Sequence, residues 1–230
     1  PESREALAVE LGVITTESNV AAALSSEVII LAVKPQNLDE VMADLNGHLC
    51  GSHLVISIIA GKKLSALTAG LRHPAIIRVM PNTPAQIGLG MSVWTATEAV
   101  DVAQKETARR ILTAMGEELF TPAEADLDLA TAISGSGPAY FFLFMEAMVE
   151  AGVKLGLEPE AARQMVIQTA VGSAEYAHQS EHDLSELRRM VTSPGGTTAE
   201  ALKVFETRQL REIVEAATAA AHRRALELGT

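Results

Sequence analysis

Apolar positions change their spacing along the chain, and the change divides it in two. In the first half, short apolar runs alternate with amphipathic stretches. Val28 to Val33 is a continuous apolar run stopped by Lys34-Pro35, the pattern of a strand buried on both faces. Leu54 to Ile59, ended by Ala60-Gly61, reads as a second buried strand, and Ala75 to Met80, ended by Pro81-Asn82-Thr83-Pro84, as a third. Helical spacing covers Ser3 to Leu11, Asn19 to Leu24, Leu38 to Leu45 and Leu64 to Leu71, with a short strand at Val13 to Thr15. Gly88 to Thr95 adds a strand, Ala99 to Met115 a helix, and Glu118 to Thr121 an edge strand. Strands separated by short helices predict an α/β fold with a doubly wound, Rossmann-type parallel sheet.

After Pro122 the pattern becomes helical throughout. Ala125 to Ile133 is one helix, Ser134 to Pro138 a turn, and Ala139 to Leu155 a second helix with Pro138 at its first position. Pro159 to His178 is a third, Glu186 to Met190 a short fourth, and Ala199 to Leu228 supplies two more. Tyr140, Phe141, Phe142 and Phe144 crowd one helix; such density predicts core for all but Tyr140. So many apolar faces on helices predict burial against a second copy. The expected division is 1–123, a dinucleotide-binding domain, and 124–230, an all-α domain for substrate binding and dimerisation.

Composition narrows the class. With 230 residues, 48% hydrophobic and 20% charged, the chain reads as a soluble globular protein. Its net charge of -11 argues against nucleic acid and anionic membranes as partners. The single cysteine, Cys50, fits a reducing cytoplasm, and no apolar run is long enough to span a bilayer. No histidine spacing suggests a metal site; His48, Cys50 and His53 read as a solvated turn.

Candidate chemistry falls in two places. The first is the set of strand ends at Val33-Lys34-Pro35, Ala60-Gly61 and Met80-Pro81-Asn82, because ligands of open parallel sheets sit at the carboxyl ends of the strands. Breakers end every strand, so it is their succession on three strands that suggests a dinucleotide crevice. The glycine fingerprint of such folds is missing: Gly135-Ser136-Gly137 meets Tyr140, and Gly88-Leu89-Gly90 meets Val93, where the third glycine belongs. The chain opens on helix residues, so the expectation is a sequence that starts inside the fold. The second place is Thr192-Ser193-Pro194-Gly195-Gly196-Thr197-Thr198. Pro194 breaks the incoming helix, the glycines let the backbone turn, and Thr197 or Thr198 can cap the outgoing helix. The N–H groups at such a helix start suit a carboxylate or phosphate. An ordinary helix–helix connector is the other reading.

The stretch from Glu186 to Thr198, followed by Ala201-Leu202 and Glu206, resembles the signature of the pyrroline-5-carboxylate reductase family. Ala32 to Pro35, Ser57 to Gly61, Met80 to Ala85 and Ser134 to Tyr140 also match, in the family's order across essentially the whole chain. The departure is at the N-terminus, where the family's first strand, glycine-rich loop and second strand do not appear. The resemblance implies hydride transfer from NADPH or NADH to 1-pyrroline-5-carboxylate, giving L-proline, with no metal. It places the substrate carboxylate on Ser193, Pro194, Gly195, Gly196 and Thr197, with Glu181 near that loop. It puts the hydroxyl of Thr198 on the ring nitrogen. Ala32, Val33, Lys34, Pro35, Ile58, Ile59, Ala60 and Asn82 would line the nicotinamide side, and Asn19 would contact the adenosine end. It also implies a homodimer, in some members stacked as a ring of dimers. A 3-hydroxyacid dehydrogenase, which would want a catalytic lysine, and a non-catalytic dimerising module stay open; Lys154 is the lysine candidate.

Overall fold

A computed structural model describes residues 2–229; Pro1 and Thr230 lie outside the described residues. Two compact units are present. The first runs through Ser136 and regains the chain from Ala221 onward; the second is Gly137–Ala220.

Five strands form the sheet of the first unit: β1 (Val28–Leu31), β2 (Leu54–Ser57), β3 (Ile76–Met80), β4 (Gly90–Ala96) and β5 (Gly116–Phe120), in that order across the sheet. Helices α1 (Glu2–Leu11) and α2 (Asn19–Leu24) precede β1. Between strands lie α3 (Leu38–Leu45), α4 (Leu64–Leu71) and α5 (Val102–Thr113). β1, β2 and β3 are parallel, and β4 runs parallel to β5. The β3–β4 pair is antiparallel, which corrects the all-parallel expectation. The connector 81–89 is shorter than the dozen or more residues a parallel crossover requires.

The apolar runs explain the core. Leu54, Val55, Ile56 and Ser57 on β2 are all buried. Val55 and Ile76 pack with Leu38, Met42, Leu45, Leu67 and Leu71 on one face. Leu54, Ile56, Ile77 and Val79 pack with Trp94, Ala108 and Leu112 on the other, so both faces of the sheet are covered. β1 departs from the expectation of burial on both faces: it pairs only with β2 among the described residues, and Ile30 is 48% exposed. Val13 to Thr15 forms no strand; Val13 and Ile14 are exposed, with no neighbouring strand to pair with among the described residues. The His48–His53 turn is solvated only in part. His53 is buried, and its Nδ1 accepts the Cys50 N–H at 2.9 Å.

Before the second unit come α6 (Asp126–Ala130) and a single π turn, Thr131–Gly135. The single helix expected over Ala125 to Ile133 is therefore a short α segment that widens, with the Ser136 N–H reaching the Thr131 carbonyl at 2.8 Å. The second unit holds α7 (Gly137–Lys154), α8 (Pro159–Gln179), α9 (Leu184–Met190) and α10 (Thr197–Thr207). α11 (Leu210–Leu228) passes from the second unit into the first at Ala221. Pro138 is the second residue of α7 rather than the first. The expected aromatic core of α7 is not buried within one chain: Phe141, Phe142 and Phe144 are exposed. With Met148, Leu155 and Met165, Phe141 and Phe144 line an apolar cavity of about 780 Å³ between α7 and α8. Among the described residues no helix is long and apolar enough to cross a membrane.

Candidate active site

In the first unit, the site residues expected from the strand ends follow β1, β2 and β3 directly. Ala32 and Lys34 are exposed and Val33 half-buried. Pro35 then opens a 3-10 turn, Pro35–Asn37, that feeds α3. Ile58 continues the β1–β2 ladder, its N–H donating to the Leu31 carbonyl at 3.1 Å. Ile59 turns into the core while Ala60 stays exposed. Gly61 has φ 79°, and a Cβ there would lie 2.6 Å from the carbonyl oxygen of Leu228, at the end of α11. The strand ends thus present small side chains, Ala32 and Ala60, to solvent on adjacent strands. That leaves room for a flat ring against the backbone.

Asn82 is held more tightly than its place in a loop suggests. Its Oδ1 accepts the Met91 N–H at 2.9 Å. Its Nδ2 donates to the Ser134 carbonyl at 3.3 Å and to the Ser134 hydroxyl oxygen at 3.2 Å. Sequence reasoning missed this partnership; Ser134 stood inside a recognisable motif, but nothing local says which residue it meets. Asn19 opens α2, which Ser18 caps by accepting the Ala21 N–H, and its Nδ2 donates to Asp44 at 2.9 Å. The main buried charge is Arg78 on β3, which reaches Asp128 at 3.0 Å and Glu124 at 3.1 Å.

In the second unit, the stretch 192–198 is a tight turn between α9 and α10. Asp183 caps α9 by accepting the Glu186 N–H at 2.9 Å. The Ser185 hydroxyl and that N–H hold the Asp183 carboxyl below its ordinary pKa. Arg189 donates to both carboxylate oxygens of Glu186, which lowers the Glu186 pKa in the same way. At the end of α9, Thr192 turns back: its N–H donates to the Arg189 carbonyl and its hydroxyl to that of Arg188. The Gly196 N–H then closes on the Ser193 carbonyl at 3.0 Å. Pro194 and Gly195 occupy the centre, with Gly195 at φ 70°, the residue types and φ sign of a type II turn.

The cap of α10 differs from expectation. Gly196 is the N-cap and Thr197 the first helical residue, so neither threonine caps. Having no side chain, Gly196 leaves the first amides of α10 without a side-chain cap, and the hydroxyls of Thr197 and Thr198 have no hydrogen-bond partner among the described residues. The first amides of α10 have no carbonyl within the helix to meet. One end of an 11-residue helix thus carries several free N–H donors and two free hydroxyls. Ser193, Pro194 and Gly195 are exposed beside it. Glu181 is exposed in the bend before α9 and makes no ion pair among the described residues. Lys154 is also exposed, at the end of α7, 3.9 Å from Glu150.

Comparison with known proteins agrees with both units. Residues 124–228 match the family described as pyrroline-5-carboxylate reductase dimerisation, and residues 1–61 match that described as NADP oxidoreductase, coenzyme F420-dependent. The pyrroline-5-carboxylate reductase of Pseudomonas aeruginosa is 44% identical over 228 residues, covering 99% of this chain and 84% of that protein. A pyrroline-5-carboxylate reductase from Coxiella burnetii has a similar solved structure, with a TM-score of 0.94 and 39% identity over 100% of this chain and 86% of that one. The Plasmodium falciparum pyrroline carboxylate reductase, solved with NADP bound, gives a TM-score of 0.85 and 34% identity, covering 94% and 82%. On this sequence identity and coverage, together with a shared fold, the chain belongs to the pyrroline-5-carboxylate reductase family.

Proposed function

We propose that the turn 192–198 binds the substrate and that the ends of β1, β2 and β3 bind the cofactor, in the reduction of 1-pyrroline-5-carboxylate to L-proline. The observation that carries this reading is the start of α10, where uncapped amides and the hydroxyls of Thr197 and Thr198 stand free together. The substrate carboxylate accepts from the amides of Thr197 and Thr198, where the helix dipole favours negative charge. Ser193, Pro194, Gly195, Gly196 and Thr197 shape that site, and Glu181 borders it. The Thr198 hydroxyl oxygen accepts the N–H of the protonated ring imine and holds the C=N bond in one orientation.

NADPH or NADH supplies the hydride. Ala32, Val33, Lys34, Pro35, Ile58, Ile59, Ala60 and Asn82 line its nicotinamide side, and Asn19 lies toward the adenosine end. The exposed Ala32 and Ala60 fit a flat ring lying on the strand ends. When hydride reaches the imine carbon, the C=N π pair moves to nitrogen and cancels its charge; the amine keeps its proton. A protonated imine is already electrophilic, so orientation does most of the work.

Residues 1–123 form the cofactor portion and 124–230 the substrate and dimerisation portion. The enzyme works as a cytoplasmic homodimer, with a ring of dimers as its higher assembly and neither nucleic acid nor membrane as a partner. Its exposed α7 aromatics supply the dimer surface. Side-by-side assays with 1-pyrroline-5-carboxylate and with 3-hydroxyacids test the reading. NADPH oxidation with the imine alone is expected; turnover of a hydroxyacid alone would favour the dehydrogenase reading, which the exposed, ion-paired Lys154 does not support.

A further inference from the structure

The π turn Thr131–Gly135 sits against the end of β3. A Cβ on Gly135 would lie 2.4 Å from Cε of Met80, so backbone and strand end are in close approach there. The Thr131 hydroxyl donates to the Leu127 carbonyl at 2.7 Å and ties the turn to α6. π turns are less favourable than α-helix and recur at functional sites. This one ends in a side-chain clamp, Ser134 on Asn82.

The clamp fixes Asn82 in one amide orientation. The Met91 N–H must face an acceptor, so Oδ1 points to β4 and Nδ2 to Ser134. Both Ser134 acceptors lie on the Nδ2 side of the amide. Without the Ser134 hydroxyl, the amide keeps its β4 contact and the longer contact to the Ser134 carbonyl.

We infer that Ser134 is a positioning residue for the cofactor: through Asn82 it fixes the backbone and amide at the end of β3, against which the nicotinamide lies. This rests on the proposed reading of the β3 end as cofactor-lining. Ser134 needs no contact with either ligand for this role. The hydroxyl alone separates the role from bulk and packing.

The test is the nearly isosteric pair Ser134→Thr and Ser134→Val in the full enzyme, with NADPH and proline affinities measured by calorimetry and Tm recorded. Ser134→Thr should keep the native NADPH Kd. Ser134→Val should weaken NADPH about threefold to tenfold, the scale of one hydrogen bond, with proline affinity unchanged. Equal NADPH affinity in the pair would overturn the inference, as would a loss shared equally by NADPH and proline. Asn82→Leu separates the two levels of the argument. If Asn82→Leu weakens NADPH while Thr and Val at 134 behave alike, only the positioning role fails. If Asn82→Leu leaves NADPH affinity intact, the assignment of the β3 end to the cofactor fails.

Discussion

The guanidinium of Arg78, on β3, meets the carboxylate of Asp128, on α6, at 3.0 Å, and both side chains are buried. The other Nη reaches Glu124 at 3.1 Å, and the same Glu124 oxygen accepts the Leu64 N–H, the first of α4, at 2.6 Å. One buried cation thus joins β3, the start of α4 and the segment that carries the π turn. Removing one partner of such a pair leaves a charge without compensation. Asp128→Ala should therefore destabilise the first unit by about 3–5 kcal/mol. Trp94, the only tryptophan and itself buried in that unit, reports the loss in urea unfolding followed by fluorescence. Glu124→Ala should cost less, because that side chain is 30% exposed and water replaces part of its role. Equal stability of Asp128→Ala and the native protein would remove the pair from the account.

The turn 192–198, the proposed substrate site, is sensitive at two glycines. Gly195 holds φ 70°, so Gly195→Ala adds backbone strain of about 1–2 kcal/mol, enough to shift the turn. Gly196 has an ordinary φ of −80°, but a Cβ there would lie 2.4 Å from the Ser193 Oγ. Gly196→Val should displace Ser193 and crowd the first amides of α10. Proline should lose most of its affinity for either variant in calorimetry while circular dichroism stays helical.

The cap of α9 gives a pH dependence with a definite sign. Ser185 and the Glu186 N–H hold the Asp183 carboxyl below its ordinary pKa. A depressed carboxyl stabilises the folded state fully above its unfolded pKa, about 3.9. The contribution fades as pH falls through the lowered value. Protection of the α9 amides, relative to their intrinsic exchange at each pH, should be high at neutral pH and fall below the ordinary carboxylate range. Asp183→Ala should show low protection at neutral pH with the acid-dependent fall removed, and Asp183→Asn should retain most of the protection.

Phe141 and Phe144 are exposed in a single chain and line the apolar cavity between α7 and α8. An unpaired charge is costly in a buried apolar interface. Phe141→Arg should therefore shift the dimer toward monomer in analytical ultracentrifugation at micromolar protein. A sedimentation coefficient identical to the native dimer would place the interface elsewhere.

Local pattern carries much of the fold. Leu38–Leu45 and Leu64–Leu71 begin and end where their apolar spacing does, and each strand from the first three apolar runs forms. Strand direction is not written in a period of two, so β4 was expected as a strand but its antiparallel direction, set by the short connector 81–89, was not. Val13 to Thr15 has the composition of a strand but no neighbour to pair with among the described residues. Phe141, Phe142 and Phe144 are exposed in the single chain, and periodicity alone does not separate a core face from an interface face. The Arg78–Asp128 pair and the Asn82–Ser134 clamp join residues about fifty positions apart, beyond the reach of any local signal. The motif singles out Thr198, but it does not say that Gly196 takes the cap and leaves the Thr198 hydroxyl out of it.

The central claim is that the start of α10 binds the substrate and that the Thr198 hydroxyl orients its imine nitrogen. The most direct measurement is steady-state kinetics of Thr198→Val in the full enzyme, with NADPH affinity determined in parallel. Valine keeps the shape and removes the hydroxyl. The account predicts that kcat/KM for 1-pyrroline-5-carboxylate falls by about 10²-fold or more, the scale of losing a positioned polar group in the transition state. NADPH affinity and Tm should hardly change. An unaltered kcat/KM would contradict the account and remove Thr198 from the mechanism.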